Sequence, residues 1–458
     1  MTTQRKTPTR RDILRGAMIV GGGLAAFGSG ATLSQLAHAQ QAPGSPDRYY
    51  IFCYFSGGWD TLLSLDPRDP RQFTNGNMRT TRIQPGYEFV ERPDADLVRA
   101  GGLTFGPYIG DLTRHVDKLA VVRGMTMDTL THEVGRRRFL TGKPPAGLSA
   151  RGSNSSTWLA GHLGLGEPIP QLSVQVESYN TDQPNYASAL RVNSVADLLR
   201  ALRPSDPVLA PRVASLVDHR LTEAAECARA QRSGLWRAAE TARNKARQMV
   251  EGGYADLFDF NNRRSDEIQA LRSHYNIARV DSSPEVQAAM AVQAITGGVS
   301  RVVSIQMAAR SLDTHFDEWE TDQGPTQERG FNTVAKMVDD LASREYRDTG
   351  TSWLEHTTIL GFSEFCRTPT LNDRGGRDHH LGNACFLLGG GVQGGQVIGA
   401  SSDVGMLPTT TNLVTGRPSP DGEVVRPEHI IQSLFHEAGM VNDGADLRVG
   451  PIPALMRG

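Results

Sequence analysis

Residues 283–315 read SPEVQAAMAVQAITGGVSRVVSIQMAARSLDTH, and the punctuation of this stretch decides the fold. Ser283 suits a helix N-cap and Pro284 the first helical position. Val286, Met290 and Ile295 recur at helical spacing before Gly297-Gly298 ends the pattern. A strand-length run rich in valine and isoleucine, VSRVVSIQM, follows directly, and past it stand Asp313 and His315. The reading is helix, strand, then a loop carrying an acid and an imidazole.

The same alternation extends outward. YYIFCYF (49–55) reads as a strand, and LAVVRGM from Leu119 follows a helix predicted around Tyr108 to His115. TTILGF (357–362) follows a helix with Val334, Val338 and Leu341 on one face, and ACFLLGG near residue 385 makes a fifth run. Such continuously apolar strands require cover on both faces. The predicted fold is therefore α/β, a doubly wound, mostly parallel sheet sandwiched by helices. The alternation breaks once, where Ser205-Asp206-Pro207 opens an Ala/Arg/Glu-rich helical stretch reaching Gly252-Gly253. Residues 205–280 then form a helical insertion or cap, and 40–204 and 281–458 are the two parts of one α/β metal-site domain. Gly389–Gly391 and Gly394–Gly395 lack a Walker lysine and a dinucleotide spacing, so they read as a hairpin or tight turn.

The N-terminal segment TRRDILRGAMIVGGGLAAFGSGATLSQLAHAQ pairs Arg10 and Arg11 with a mild apolar stretch ending in Ala37-His38-Ala39. It resembles a twin-arginine signal peptide over residues 1–39, which implies the twin-arginine translocase as a partner and a periplasmic or secreted destination. Its removal takes away Arg5, Lys6, Arg10, Arg11, Arg15 and Asp12, leaving 43 basic against 49 acidic residues and a net charge of −6. Nucleic acid is not an expected partner of such a chain. No apolar run in the mature chain approaches the ~20 residues that span a bilayer. Four scattered cysteines form no zinc pattern or disulfide scaffold, and a Cys366–Cys385 bridge is not the favoured reading.

Ligands of open parallel sheets bind beyond the carboxyl ends of the strands. Here those positions hold Asp60 in SGGWDTL, then Thr131, His132 and Arg136 in TMDTLTHEVGRRRFLTG, then Asp313 and His315. The fourth strand leads into SEFCRTPTLNDRGGRDHH (363–380), with Glu364, Arg367, Asp378, His379 and His380. Carboxylates gathered in one cleft repel one another unless a cation neutralises them, and neutral imidazoles complete a ligand shell. Mixed carboxylate and imidazole donors favour zinc or manganese over calcium, as one or two ions.

GGWD (57–60), DTH (313–315), SEFCRTP (363–369) and RDHH (377–380), followed by LLGGGVQGG, resemble the exported bacterial family called domain of unknown function 1501, a distant relative of the alkaline phosphatase and sulfatase superfamily. The similarity spans roughly residues 48–400. It implies metal ligands at Asp60, Asp313, His315, Glu364 and either His379 or His380, with Asp378 beside them. The sulfatase pattern C-x-P-S-R-x-x-L-x-T-G, aligned on Thr141-Gly142, puts the anion-binding arginine on Arg136. It also puts the nucleophile slot on His132, beside Thr131. His132 would ligate metal or attack as an imidazole, whereas Thr131 is the alkoxide candidate. Arg367 is a second anion-binding candidate.

The chain departs from the superfamily in having one acid after the first strand, Glu-Phe for Asp-His, and Thr-His in the nucleophile slot. The implied function is an exported, metal-dependent hydrolase of phosphate or sulfate esters, with a metal-activated hydroxyl nucleophile and the helical insertion as a lid. Its partner would be a small anionic ester or an envelope polymer. The rival is a non-catalytic, metal-containing envelope protein that binds a glycan, lipid or protein.

Overall fold

A computed structural model describes residues 47–144, 146–147, 149–203, 209–440 and 443–457. The expected signal segment 1–39 and the junction at 204–205 lie outside the described residues.

An eight-stranded sheet forms the centre. Its strands in chain order are β1 (Tyr49–Tyr54), β2 (Leu119–Thr126), β3 (Gln171–Val174), β4 (Leu190–Val192), β5 (Val302–Gln306), β6 (Thr357–Phe362), β7 (Gly382–Gly389) and β8 (Gln396–Ile398). In space they run β8-β2-β7-β6-β1-β5-β3-β4. All are parallel except β7, which pairs antiparallel with both β2 and β6. The reason lies in the connection. A parallel neighbour needs a crossover, whereas residues 363–381 loop back directly from the end of β6 into β7. That return deposits the whole stretch 363–380 at the carboxyl edge of the sheet.

Both faces are covered. Tyr49, Ile51, Cys53 and Phe55 of the first apolar run pack with α5 (Pro284–Thr296) and α6 (Gly324–Ser343), while Tyr50, Phe52 and Tyr54 pack with α1 (His132–Thr141), α2 (Ser155–Leu163) and α7 (Pro427–Glu437). Pro284 takes the first turn of α5 and Gly297 its C-cap. The helix predicted near Tyr108 is instead a 3-10 run over Gly110–Lys118, kinked at His115. Gly389 adopts φ +122° at the end of β7, and a Cβ on the next residue, Gly390, would strike the Glu355 carbonyl. The glycines are thus a tight turn.

Between β4 and β5 the chain is helical, with α3 (Pro211–Glu226) and α4 (Gly234–Glu251) the longest elements. The stretch does not form one helix, because Cys227 and Ser233 are extended and cap the next segments. Lys245 anchors α4 by donating to the carbonyls of Leu165 and Glu167, each at 2.7 Å. No helix among the described residues is long and apolar enough to cross a membrane.

Candidate metal centre

Two glycines let three segments meet at the carboxyl edge. Gly57, at φ +106°, donates its amide to Glu364 Oε1 at 2.8 Å, and a Cβ there would collide with the Leu312 and Asp313 amides. Gly135 seats the first turn of α1 on the 363–364 backbone, where a Cβ would lie 2.6 Å from the Glu364 carbonyl. His132 opens α1 and is thereby held above Glu364.

Three imidazoles converge on Asp313, and each is oriented by an oxygen that only accepts. His132 donates Nδ1–H to Glu364 Oε1 at 2.7 Å, and His315 donates Nδ1–H to Asp378 Oδ1 at 2.8 Å. His379 donates Nδ1–H to the Leu130 carbonyl at 2.5 Å. Whenever a ring carries a single proton, that proton sits on Nδ1 and Nε2 is left as the lone-pair atom. Those Nε2 atoms lie 3.1, 3.1 and 3.4 Å from Asp313 Oδ1 for His132, His315 and His379. The Nε2 atoms of His315 and His379 face one another at 3.0 Å. His132 Nε2 is buried and, despite its nearness to Asp313, makes no hydrogen bond.

Arg367 already donates to Asp313 Oδ1 at 2.5 Å and lies 3.3 Å from His315 Nε2, and the neutral rings of His132 and His379 keep lone pairs beside that carboxylate that a metal cation would satisfy. His132, Asp313 and His379 offer ligand atoms all within 4.8 Å of one another, and His315 adjoins them. The donors fit zinc or manganese, and Glu364, Asp378 and the Leu130 carbonyl supply the outer partners that fix the rings.

The electrostatics follow from the same contacts. Burial alone would raise the Asp313 carboxyl, but the Arg367 guanidinium 2.5 Å away dominates and holds it at about 2. Burial disfavours a charged His132, yet the Glu364 carboxylate outweighs it and lifts the ring above its ordinary value. His379 has no carboxylate partner on Nδ1, and burial pushes it down.

Several expected site residues take other roles. Asp60 is not in the cluster. Its Oδ1 accepts from the Leu62 amide at 3.0 Å, and its Oδ2 accepts from Trp319 Nε1 at 2.8 Å. The same Oδ2 lies 2.9 Å from Arg377 Nε, at ion-pair distance but without hydrogen-bond alignment. Glu364 and Asp378 orient histidines instead of lying among the converging ligand atoms, since the oxygen each turns toward the site accepts from an Nδ1. His380 faces away because successive strand residues point to opposite sides. In the short ladder, His379 pairs with Arg367 on the site face, whereas His380 pairs with Cys366 and lies 3.6 Å from its sulfur. All four cysteines are free.

Neither expected arginine is available to fork onto a substrate. Arg136 is bidentate on Glu177, at 3.1 and 2.8 Å. Arg367 is fully buried and spent on Gly57, Gly58 and Arg377 carbonyls, Asp313 and His315. Thr131 is the N-cap of α1, but its hydroxyl does not cap the helix; it sits exposed, 3.1 Å from the Thr129 hydroxyl. The Leu130 carbonyl was invisible in the sequence because any residue type would supply it.

The fold is thus an α/β sheet with three imidazoles gathered around the Asp313 carboxylate at its edge, of which His132 and His379 with Asp313 could hold a metal ion. Residues 47–415 match the family described as protein of unknown function DUF1501, and the chain belongs to that family. No curated protein matches the sequence. Among solved structures it is similar to Ps i-CgsB in complex with k-i-k-neocarrahexaose, with 10% identity over 89% of this chain and 76% of that one, at a TM-score of 0.37. It is also similar to the phosphonate monoester hydrolase SpPMH from Silicibacter pomeroyi, with 10% identity over 89% and 75% of the two chains, at a TM-score of 0.31.

Proposed function

We propose that the chain is an exported, metal-dependent hydrolase of phosphate or sulfate esters, acting in the periplasm or outside the cell. One observation carries the reading: three Nε2 lone pairs aimed at a carboxylate oxygen, each fixed by an outer acceptor. His132, His315, His379 and Asp313 would hold one zinc or manganese ion. Among the described residues Asp60 and Glu364, expected to serve a second ion, are engaged elsewhere. When bound, the metal polarises an ester oxygen and lowers the pKa of an adjacent hydroxyl.

The protein's own part is positioning. Glu364 and Asp378 fix the imidazole tautomers, and Arg367 keeps Asp313 ionised. Thr131, at the start of α1 with its side chain uncommitted to capping, is the hydroxyl nucleophile candidate. The saturation of Arg136 and Arg367 favours the second reading, a metal-containing envelope protein that binds a glycan, lipid or protein partner.

Aryl phosphate and aryl sulfate esters given to zinc- or manganese-loaded protein separate the two. Hydrolysis lost in Asp313→Ala and in Thr131→Ala supports the enzyme. Stoichiometric metal with no turnover across the panel supports the binding protein.

A further inference from the structure

The far end of α1 closes a second concavity. The helix carries His132 in its first turn and ends at Gly142, about 15 Å further along its axis. Gly142, at φ +64°, seats that end on the start of α7, where a Cβ would lie 2.8 Å from Ile431 Cδ1 and 3.4 Å from Glu428 Cα. The cavity there measures about 580 Å³, a volume that takes a small molecule.

Its charged lining is Lys143, Arg151, Arg426, Arg448, Glu428 and Asp446. Both carboxylates are already matched. Glu428, 4% exposed, lies 2.7 Å from Nη2 of the fully buried Arg138. Asp446 accepts from Arg448 Nε and Nη2 at 2.8 and 3.0 Å, which cancels the charge of Arg448 as well. Neighbouring Asp443, outside the lining, is turned onto the Leu447 and Arg448 amides, each at 2.7 Å. Lys143 and Arg151 make no ion pair or hydrogen bond to the described residues, and the ion pair of Arg426 is a long one, 4.0 Å to Glu428 Oε1. Arg448 holds the Asp446 carboxyl below its ordinary value, and Lys143 and Arg151 add to that effect. Since α1 ends and α7 begins here, their terminal partial charges offset one another and the side chains decide the sign. The walls carry a positive excess.

We propose that this cavity binds an organic polycarboxylate, at the opposite end of α1 from the metal centre. The three unmatched cations come from separate segments, after α1, before α2 and before α7, and they border a space far larger than a tetrahedral oxyanion. A single phosphate or sulfate fills little of it. Carboxylates spread over a carbon frame meet cations on more than one wall, the guanidinium forks match them, and Pro144, Leu447 and Val449 cover the frame. One-signed walls around a concavity also concentrate such an anion.

Calorimetric titration with benzene-1,3,5-tricarboxylate tests this, because its rigid ring keeps two carboxylates from closing on one metal ion. It should bind at least about tenfold more tightly than benzoate or inorganic phosphate, with or without bound zinc. Lys143→Gln/Arg151→Gln should weaken it about 100-fold with an unchanged circular dichroism spectrum, whereas Lys143→Arg/Arg151→Lys, which keeps both charges, should stay within about tenfold of the unaltered protein. Arg212→Gln, at an exposed cation of α3, should change nothing. No tricarboxylate binding, binding that survives the double glutamine substitution, or phosphate bound as tightly would overturn the proposal. An equal loss in Arg212→Gln would overturn it too, reducing the effect to net charge. Binding here needs no metal, so its failure and the failure of the hydrolase reading are separate results.

Discussion

Asp60 and Asp313 both follow a strand of the same sheet, and both lie against an arginine, yet only one gathers imidazoles. Asp60 is 1% exposed and closed in by Trp319, Arg377 and the Leu62 amide, so every lone pair it directs inward is spent. Asp313 is 39% exposed and shares Oδ1 with the Nε2 atoms of three rings whose Nδ1 atoms are each engaged by an outer acceptor. Position beyond a strand makes a carboxylate available. What would make it a metal ligand, as proposed above, is the protonation of its neighbours, and that is set one shell further out.

Asp313→Asn should produce the largest effect, lowering metal affinity at least about 100-fold, beyond what loss of an outer partner causes. Asp60→Asn sharpens the contrast. It should leave metal content unchanged but lower stability by about 3 kcal/mol in denaturant titration, since Arg377 is stranded in the interior. Glu364→Gln frees the His132 ring to choose its tautomer and should cost about 10- to 100-fold in metal affinity with the fold intact by circular dichroism.

A third buried carboxylate extends the comparison to pH. Glu437 accepts from the Thr358 hydroxyl at 2.7 Å, and burial pushes its carboxyl up to about 7. The folded state therefore binds the proton more tightly than the unfolded chain does. Its contribution is fully present below the ordinary carboxylate range and is lost as pH rises through about 7. Glu437→Gln should flatten a decline in stability of about 3 kcal/mol between roughly pH 4 and pH 8, read from denaturant midpoints at each pH.

Much of this was legible in the sequence, and the boundary has physical causes. The sheet showed in its uninterrupted apolar strands, and Asp313, His132, His315 and His379 showed as chemistry past strand ends. The antiparallel course of β7 was missed because apolar content carries no direction; only the missing crossover helix between Phe362 and Gly382 encodes it. Asp60, Arg136 and Arg367 were misassigned because their partners, Arg377, Glu177 and the Gly57 and Gly58 carbonyls, are distant in sequence or belong to the backbone. His379 and His380 could not be ranked until the ladder with Cys366 and Arg367 fixed which faces inward. The Ser233 cap was readable afterwards, since its hydroxyl accepts from the Trp236 amide.

The most direct test is elemental analysis of the chain purified without chelator, beside Asp313→Asn and Asp60→Asn. One equivalent of zinc or manganese in the unaltered protein and in Asp60→Asn, with none in Asp313→Asn, is the predicted result. Metal that persists in Asp313→Asn, or that disappears with Asp60→Asn instead, would contradict the assignment of the centre.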